Sequence, residues 1–216
     1  MTKTKEKDFV EINYVGRIKE NNQIFDLTDK ELAKKNGIYD ENTMYGPKIL
    51  CLGEKQILPS IDKFLVDKEV GKTYTLELKP EESFGKKDSN LIKIMPSEIL
   101  RKQKINPFPG LQIHAGGLIG TIRSVSGGRV TIDFNHPLSG KNLVYELNIN
   151  RIVEKDDEKI RSLVENMLNL SYNEYELELQ GSKANVKLKV TIPNNAKEEV
   201  NNKVNKLIPG FELSFS

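Results

Sequence analysis

The chain contains few of the side chains on which most hydrolytic, redox and metal-dependent chemistry relies. Its 216 residues include one cysteine, two histidines and no tryptophan. The single cysteine, Cys51, excludes an intramolecular disulfide, and its place in the apolar run 49–52 predicts a buried strand position. His114 and His136 lie on a predicted strand and at a predicted turn, with no cysteine–histidine cluster at metal-ligand spacing. We therefore expect both histidines to be structural or exposed, and we expect no cofactor.

Neither the charge nor the hydropathy of the chain indicates a nucleic acid or a membrane partner. The 33 basic residues nearly balance the 31 acidic ones, and a net charge of +2 is no electrostatic argument for nucleic acid. No apolar run approaches the roughly 20 residues that span a bilayer. Residues 1–7 are charged and are followed by no segment of signal-peptide type. We therefore expect a cytoplasmic protein.

The first part of the chain alternates between short strands and short helices. Period-two alternation of apolar residues predicts strands over 8–20 and 74–78, and shorter strands are predicted over 24–26 and over the apolar run 49–52. Thr28 and Glu31 have the spacing of a capping box, in which each side chain satisfies a backbone N–H at a helix start. Asn36-Gly37 ends this helix. Residues 57–66 have helical apolar spacing, with Pro59 where a first helical turn tolerates it.

A long interruption follows Gly85, and a strand that resumes the first domain returns only at 143–152. Glycine pairs at 116–117 and 127–128 are typical hairpin turns, and they separate predicted strands at 111–114, 118–125 and 129–134. A short helix is predicted to begin at Pro96. We therefore expect a first domain, residues 1–86 and 137–153, that carries an inserted small β domain, residues 87–136.

Residues 154–216 differ in pattern from the rest of the chain. Apolar spacing predicts a helix carrying Ile160 and Leu163, two strands joined at 180–183, a second helix capped by Asn194, and a final strand over 211–215. A unit of about 60 residues in this αββαβ order lies near the lower size limit for independent stability. We expect it to pack against the first domain or to self-associate, so a homodimer through this unit stays open.

What remains as a candidate site combines aromatic and aliphatic residues with one carboxylate. Tyr14, Phe25 and Asp26 lie on the first two predicted strands, and the apolar residues Ile57 and Leu58 precede the predicted helix. An ionised carboxylate is rarely placed among aromatic rings without a partner. We expect the hydroxyl of Tyr14 to be the partner of Asp26.

Six stretches of the chain resemble a known family, and they are Val10–Gly16, Phe25-Asp26, Gly53–Ile61, Val70–Lys72, Glu82–Gly85 and Asp133–Leu147. In this order and spacing they resemble the FKBP-type peptidyl-prolyl isomerases. They are more similar to the SlyD-like and long archaeal members, which carry an insert-in-flap domain. The resemblance covers about residues 8–153. An insertion after Asp26, with residues 37–39 and 45–47, is similar to that of the long archaeal branch.

The resemblance implies an α+β fold, in which an antiparallel FKBP-like β-sheet wraps a short helix and carries an inserted small β domain. The C-terminal αββαβ domain follows. The catalytic residues implied for the hydrophobic pocket are Tyr14, Phe25, Asp26, Ile57, Leu58, Phe84 and Tyr145. Among them, Ile57 and Leu58 match the pair whose backbone lines the floor of the pocket. The implied substrate-binding residues are Leu50, Ile61 and, in the insert, Ile94, Met95, Ile99, Leu100, Phe108 and Leu111. We expect about half of the insert residues to form the insert's own core instead.

Three positions depart from the family pattern. Ile61 stands where some members place Trp, Phe84 where many place Tyr, and Tyr145 where many place Phe. Without a hydroxyl at position 84, one hydrogen bond to a ligand carbonyl is missing, at a cost of about 0.5–1.5 kcal/mol. We expect this change to tune affinity and to leave the pocket in place.

The function that the resemblance implies is peptidyl-prolyl cis-trans isomerisation with chaperone activity. The partners would be unfolded or partly folded polypeptides that contain X–Pro bonds. Two alternatives stay open: a non-enzymatic chaperone or peptide-binding module with a vestigial pocket, and an assembly or ribosome-associated protein that docks through its C-terminal unit. Bacterial SlyD-like members carry a metal-binding tail rich in His and Cys. Residues 210–216 lack one, so we expect no metal role.

Overall fold

The computed structural model describes residues 2–216, which fold as α+β with mainly antiparallel sheets. Two compact units are present. The first contains the residues up to Leu78 together with Leu143–Ser216, and the second contains Lys79–Asn142. Residues 154–216 therefore belong to the same compact unit as the first sheet. The finer division into three domains stays a prediction.

The first unit begins with β1 (Phe9–Ile18), β2 (Ile24–Leu27), α1 (Lys30–Lys35), β3 (Lys48–Cys51), α2 (Pro59–Phe64) and β4 (Thr73–Leu78). The second unit contains β5 (Ile92–Pro96), α3 (Ser97–Lys102), β6 (Gln112–Ala115), β7 (Leu118–Ser126) and β8 (Arg129–Asp133). The first unit resumes with β9 (Leu143–Ile152), α4 (Asp156–Leu168), β10 (Tyr175–Gln180), β11 (Lys183–Leu188), α5 (Asn194–Leu207) and β12 (Glu212–Phe215). Among residues 2–216, no helix combines the length and the apolar character needed to cross a membrane.

Strand β1 is the centre of a five-stranded antiparallel sheet. The order is β2-β1-β9-β4, and β3 pairs with the N-terminal half of β1. Every second residue of β1 from Val10 to Ile18 is buried, and so is every second residue of β9 from Leu143 to Ile149. A strand with one face on a core shows this period-two burial. The alternation that predicted these two strands is therefore confirmed.

The second unit contains a four-stranded antiparallel sheet in the order β5-β8-β7-β6. Its core consists of Leu100, Ile113, Ile122, Val130 and Ile132. The prediction of three strands was wrong, because β5 forms a fourth, pairing with β8 along its whole length. Most of the side chains of β5 are exposed. An edge strand of this kind lacks the alternating burial that marks a strand in a sequence.

The C-terminal residues have the αββαβ order that the sequence predicted, and they share a core with the first sheet. Strands β10 and β11 are antiparallel, and β12 pairs parallel to β11. Fully buried residues of α4 and α5, such as Ile160 and Val204, belong to one apolar cluster with Phe9, Cys51 and Val153. Packing against the first sheet thus supplies the burial that a unit of this size lacks by itself.

Two predicted helix caps were wrong. Asp29 caps α1, since its Oδ1 accepts the backbone N–H groups of residues 31 and 32 at 2.9 Å. Thr28 instead joins two strands, because its Oγ1 accepts the backbone N–H of Tyr14 at 3.0 Å. At the start of α5 the capping position is Pro193, with Asn194 as the first helical residue. A proline cannot cap with its side chain, so α5 begins without a side-chain cap.

Candidate functional site

Four of the predicted catalytic residues come together on β1, β2 and β9. Tyr14 lies on β1, Phe25 and Asp26 on β2, and Tyr145 on β9. The centre of the Tyr145 ring lies 5.6 Å from that of Phe25, edge to face, and 6.1 Å from that of Tyr14. Aromatic pairs at such distances attract each other beyond the effect of area burial. The result is an aromatic cluster with one carboxylate beside it.

An irregularity in the pairing of β1 with β2 brings two adjacent residues to this cluster. Asp26 pairs with Gly16, whereas Phe25 has no partner on β1. An extra residue of this kind bends its strand and redirects side chains. Neighbouring residues of a regular strand point to opposite faces, yet here Asp26 contacts Tyr14 and Phe25 contacts Tyr145. The bulge therefore builds the site.

Gly16 provides the space that the rings occupy. It lies opposite Tyr145 in the pairing of β1 with β9. A Cβ atom on Gly16 would lie 2.8 Å from the ring of Phe25 and 2.9 Å from that of Tyr145, closer than side chains approach. Sequence reasoning did not identify Gly16 as a site residue, because the contacts that require glycine come from strands distant in the chain.

The hydroxyl of Tyr14 donates a hydrogen bond to Oδ2 of Asp26 at 3.0 Å. The predicted partner of this carboxylate is therefore confirmed. Burial, reinforced by the Asp26 carboxylate, raises the pKa of Tyr14 far above its ordinary value. The same two causes raise the pKa of Tyr145. Both phenols consequently stay protonated at neutral pH, and the Tyr14 hydroxyl is the one that donates to Asp26.

The predicted floor residues, Ile57 and Leu58, lie in the loop before α2, and Ile61 lies on α2 itself. Ile57 and Leu58 are half-buried, and Ile61 is fully buried. The buried carboxylate of Asp62 holds the preceding loop, because it accepts the backbone N–H groups of Gly53 and Lys55, both at 2.9 Å. Asp62 is a supporting residue that the sequence pattern did not reveal.

The same loop is also held by the C-terminal helix α5. Glu54 accepts hydrogen bonds from Lys203 and, at 3.1 Å, from Lys206. The Glu54 side chain is only 10% exposed, and that of Lys203 is 25% exposed. The hydrogen bond from Lys203 lowers the pKa of Glu54, although burial opposes this shift. The C-terminal residues thus fix the loop that precedes the predicted floor.

Two further predicted site residues, Leu50 and Phe84, are not part of the aromatic cluster. Leu50, on β3 opposite Val10, is 3% exposed, so its contact with a substrate stays a prediction. Phe84 belongs to the second unit, where it is half-buried and its ring stacks flat on that of His136 with the centres 4.4 Å apart. His114 and His136 are both exposed, in agreement with the expectation that each is structural or exposed, but sequence reasoning missed the stacking of His136 on Phe84.

The six predicted substrate-binding residues of the insert divide evenly. Leu100 belongs to the core of the second unit, and Met95 and Leu111 pack against that core. The other three are exposed, Ile94 by 66%, Phe108 by 54% and Ile99 by 45%. The expectation that half of the set forms the core is therefore confirmed. Three further apolar side chains of this unit, which the sequence analysis did not single out, are also exposed, namely Ile92, Leu118 and Ile119.

Two family profiles match the chain. Residues 1–101 match the family described as FKBP-type peptidyl-prolyl cis-trans isomerase, and residues 93–138 match the one described as FKBP26, IF domain. Over residues 1–138 the chain is thus similar to the FKBP-type peptidyl-prolyl cis-trans isomerases, as its sequence predicted.

Individual relatives agree with this family. The chain is 29% identical over 154 residues to the short-type peptidyl-prolyl cis-trans isomerase of Methanocaldococcus jannaschii, over 71% of this chain and 97% of that protein. It is 29% identical over 124 residues to the probable FKBP-type 16 kDa peptidyl-prolyl cis-trans isomerase of Pseudomonas fluorescens, over 55% and 81%. It is 24% identical over 134 residues to the SlyD isomerase of Helicobacter pylori, over 57% and 68%. The narrower assignment to the long archaeal branch stays a prediction.

Among solved structures, the chain resembles that of the three FKBP domains of wheat FKBP73. The TM-score is 0.38 and the identity 10%, over 72% of this chain and 42% of that chain. A likeness of this size carries no argument about fold or function. Within residues 2–216, no three side chains of His, Cys, Asp or Glu are grouped as metal ligands.

Proposed function

We propose that the aromatic cluster of β1, β2 and β9 binds the proline ring of an X–Pro segment and accelerates rotation about the preceding amide bond. Phe25 and Tyr145 would contact the ring, and Ile57 and Leu58 would line the floor. Asp26 would hold Tyr14 and act electrostatically on the rotating carbonyl. Phe84 stays a predicted member of this site.

The chemistry needs no nucleophile and no cofactor. Rotation about a peptide bond meets a barrier of about 18–20 kcal/mol, because resonance gives the C–N bond double-bond character. The two X–Pro isomers differ by only about 0.5–1 kcal/mol, so both are populated and exchange slowly. The twisted amide has less charge separation than the planar one. An apolar site therefore binds the transition state better than the ground state, and each gain of about 1.4 kcal/mol there is a tenfold gain in rate.

One observation supports the proposal most directly. The hydrogen bond between Tyr14 and Asp26 lies beside two aromatic rings that Gly16 allows to approach. A carboxylate at such a place costs free energy unless it is paired. The Tyr14 hydroxyl pairs this carboxylate and keeps it beside the rings, where it can act electrostatically on a bound carbonyl.

The proposal is tested by Asp26→Asn, which removes the charge and keeps the shape of the side chain. We expect kcat/KM for an X–Pro tetrapeptide to fall about tenfold, equivalent to about 1.4 kcal/mol of transition-state stabilisation. Asp67→Asn is the matched control, because the Asp67 side chain is 76% exposed on a surface turn. Wild-type activity in Asp26→Asn would remove Asp26 from the mechanism, and a wild-type chain without any acceleration would contradict the proposed function.

A chaperone part for the second unit follows from its surface. Ile94, Ile99 and Phe108 are exposed, together with Leu118 and Ile119. Several large apolar side chains exposed on one small unit are typical of a surface that binds other polypeptide chains. We propose that they hold unfolded polypeptides that contain X–Pro bonds.

A double substitution, Ile94→Ser with Phe108→Ser, tests this part. Burial of a large apolar side chain contributes roughly 1.5–3 kcal/mol, so we expect catalysis of a proline-limited refolding reaction to fall at least about fivefold. Turnover of a tetrapeptide should not change. Tyr172→Ser is the control, because Tyr172 is 81% exposed in the first unit. Equal losses on both substrates, or none, would exclude a role of this surface in holding substrates.

A non-enzymatic peptide-binding module is the second candidate. The absence of a hydroxyl on Phe84, whose ring stacks instead on His136, favours it. Suppression of aggregation by a chain without isomerase activity would establish this alternative. A homodimer and a cytoplasmic location stay predictions from the sequence.

A further inference from the structure

Tyr145 is an almost fully buried tyrosine whose hydroxyl has no protein partner. The residue is 3% exposed. Three other tyrosines with buried or half-buried rings, Tyr14, Tyr74 and Tyr175, each donate their hydroxyl to a protein oxygen within 3.2 Å. For Tyr145, no hydrogen bond to any group of residues 2–216 is formed. Its oxygen is not among the sealed, unpaired polar atoms of that range, so it still reaches accessible space.

The surroundings of this hydroxyl explain why it lacks a partner. The Tyr145 ring packs against Phe25 and Tyr14, and its neighbour across the sheet is Gly16, which has no side chain. The nearby carboxylate of Asp26 already accepts the hydroxyl of Tyr14. A buried polar group without a hydrogen bond costs free energy. A phenylalanine would fill the same space without a polar group to satisfy, whereas the Tyr145 hydroxyl reaches accessible space and is free to donate to an acceptor outside the chain.

We propose that the hydroxyl of Tyr145 donates a hydrogen bond to a backbone carbonyl of the bound X–Pro segment. A carbonyl oxygen is the one acceptor that every such segment carries, whatever its side chains. The hydroxyl keeps its proton in the neutral and alkaline range, since burial and the Asp26 carboxylate raise the pKa of Tyr145. This inference rests on the proposed function, because it gives the same site a donor for its substrate.

Tyr145→Phe tests the inference, with Tyr172→Phe as the matched control at an exposed position. A neutral hydrogen bond to substrate corresponds to a loss of roughly 2- to 10-fold in kcat/KM. Denaturant unfolding should show unchanged or slightly higher stability, because the lost hydroxyl has no partner in the chain. If the hydroxyl had a purely structural role, Tyr145→Phe would instead lower the stability of the chain and leave the kinetics of the folded fraction unchanged.

Calorimetric binding of an X–Pro peptide separates this inference from the proposed function. If the wild-type chain binds the peptide without catalysis, and Tyr145→Phe weakens binding by roughly 2- to 10-fold, the donor is confirmed while the isomerase proposal fails. If Tyr145→Phe matches the wild-type chain in both kcat/KM and affinity, the inference is overturned even though the isomerase stands. Failure of the wild-type chain to bind X–Pro peptides would overturn both.

Discussion

Replacement of Lys203 by methionine should loosen the loop before the predicted floor of the site. Lys203 lies on α5, and its ammonium group pairs with Glu54 in that loop. Methionine keeps most of the aliphatic length and removes the charge. Glu54 would then be a carboxylate with only 10% of its side chain exposed and with one remaining partner, the outer residue Lys206.

The structure sets the expected magnitude. A hydrogen bond to a charged group contributes about 1.5–3 kcal/mol, and loss of one partner of a fully buried ion pair costs about 3–5 kcal/mol. Because Lys206 remains, we expect a loss of about 2 kcal/mol in the free energy of unfolding. For a chain of this length, that lowers Tm by roughly 4–8 °C. Lys206→Met is the matched control, since Lys206 is 61% exposed and exposed pairs contribute about 0–1 kcal/mol.

The loss should depend on pH with a definite sign. The hydrogen bond from Lys203 lowers the pKa of Glu54 in the folded state. Stability from this pair is therefore present above the unfolded pKa of about 4.3 and is lost as the pH falls through the folded value. Urea unfolding at pH 7 should separate the wild-type chain from Lys203→Met, and the two should converge below about pH 4.

Isomerase assays on the same proteins test whether α5 also serves the site. We expect Lys203→Met to lower kcat/KM for a tetrapeptide, whereas Lys206→Met should not. Equal stabilities of Lys203→Met and Lys206→Met at pH 7 would refute the reasoning, because they would show that the more buried of the two pairs is worth no more than the exposed one.

Three further predictions follow from single residues. Gly16→Ala should cost about 1–3 kcal/mol by overpacking and lower kcat/KM, since its Cβ would overlap two rings of the site; unchanged denaturation and kinetics would contradict this. Cys51 should resist thiol reagents at pH 8 until denaturant is added, because burial raises its pKa to about 12; rapid labelling of the native chain would show otherwise. Burial opposes ionisation of Asp133, but hydrogen bonds from Lys87 and Asn135 outweigh it and lower the pKa of that carboxyl. The stability that Asp133 contributes should therefore be lost as the pH falls below about 4. In the wild-type chain, circular dichroism should show this as a loss of β-sheet. Asp133→Asn should already be less stable at pH 7 and should not show that loss.

Residues 154–216 are part of the same folded core as the first sheet and are not a separable appendage. Their helices share a core with Phe9 and Cys51, and Asn166 on α4 donates a hydrogen bond to the carbonyl of Ile49 at 2.9 Å. Truncation after residue 153 would expose that core. The full chain is therefore the protein on which activity should be measured.

Local pattern alone was enough to predict most of the strands and helices. Alternating apolar residues over β1 and β9 reflect burial on one face, and Gly116-Gly117 and Gly127-Gly128 adopt the positive φ angles that tight hairpins need. Such signals are local, because a strand or a turn is specified within a few residues. The partner of Asp26 also followed from chemistry alone, since a carboxylate among rings needs a donor.

Only the tertiary structure decided the features that join distant parts of the chain. The bulge that turns Phe25 and Asp26 to one site, the space that Gly16 leaves for Tyr145, and the pair between Glu54 and Lys203 all depend on which strands and helices become neighbours. In the sequence around them, Gly16, Glu54 and Lys203 look like ordinary surface or turn residues. Their roles appear only when chain folding brings a residue 149 positions away within hydrogen-bond distance.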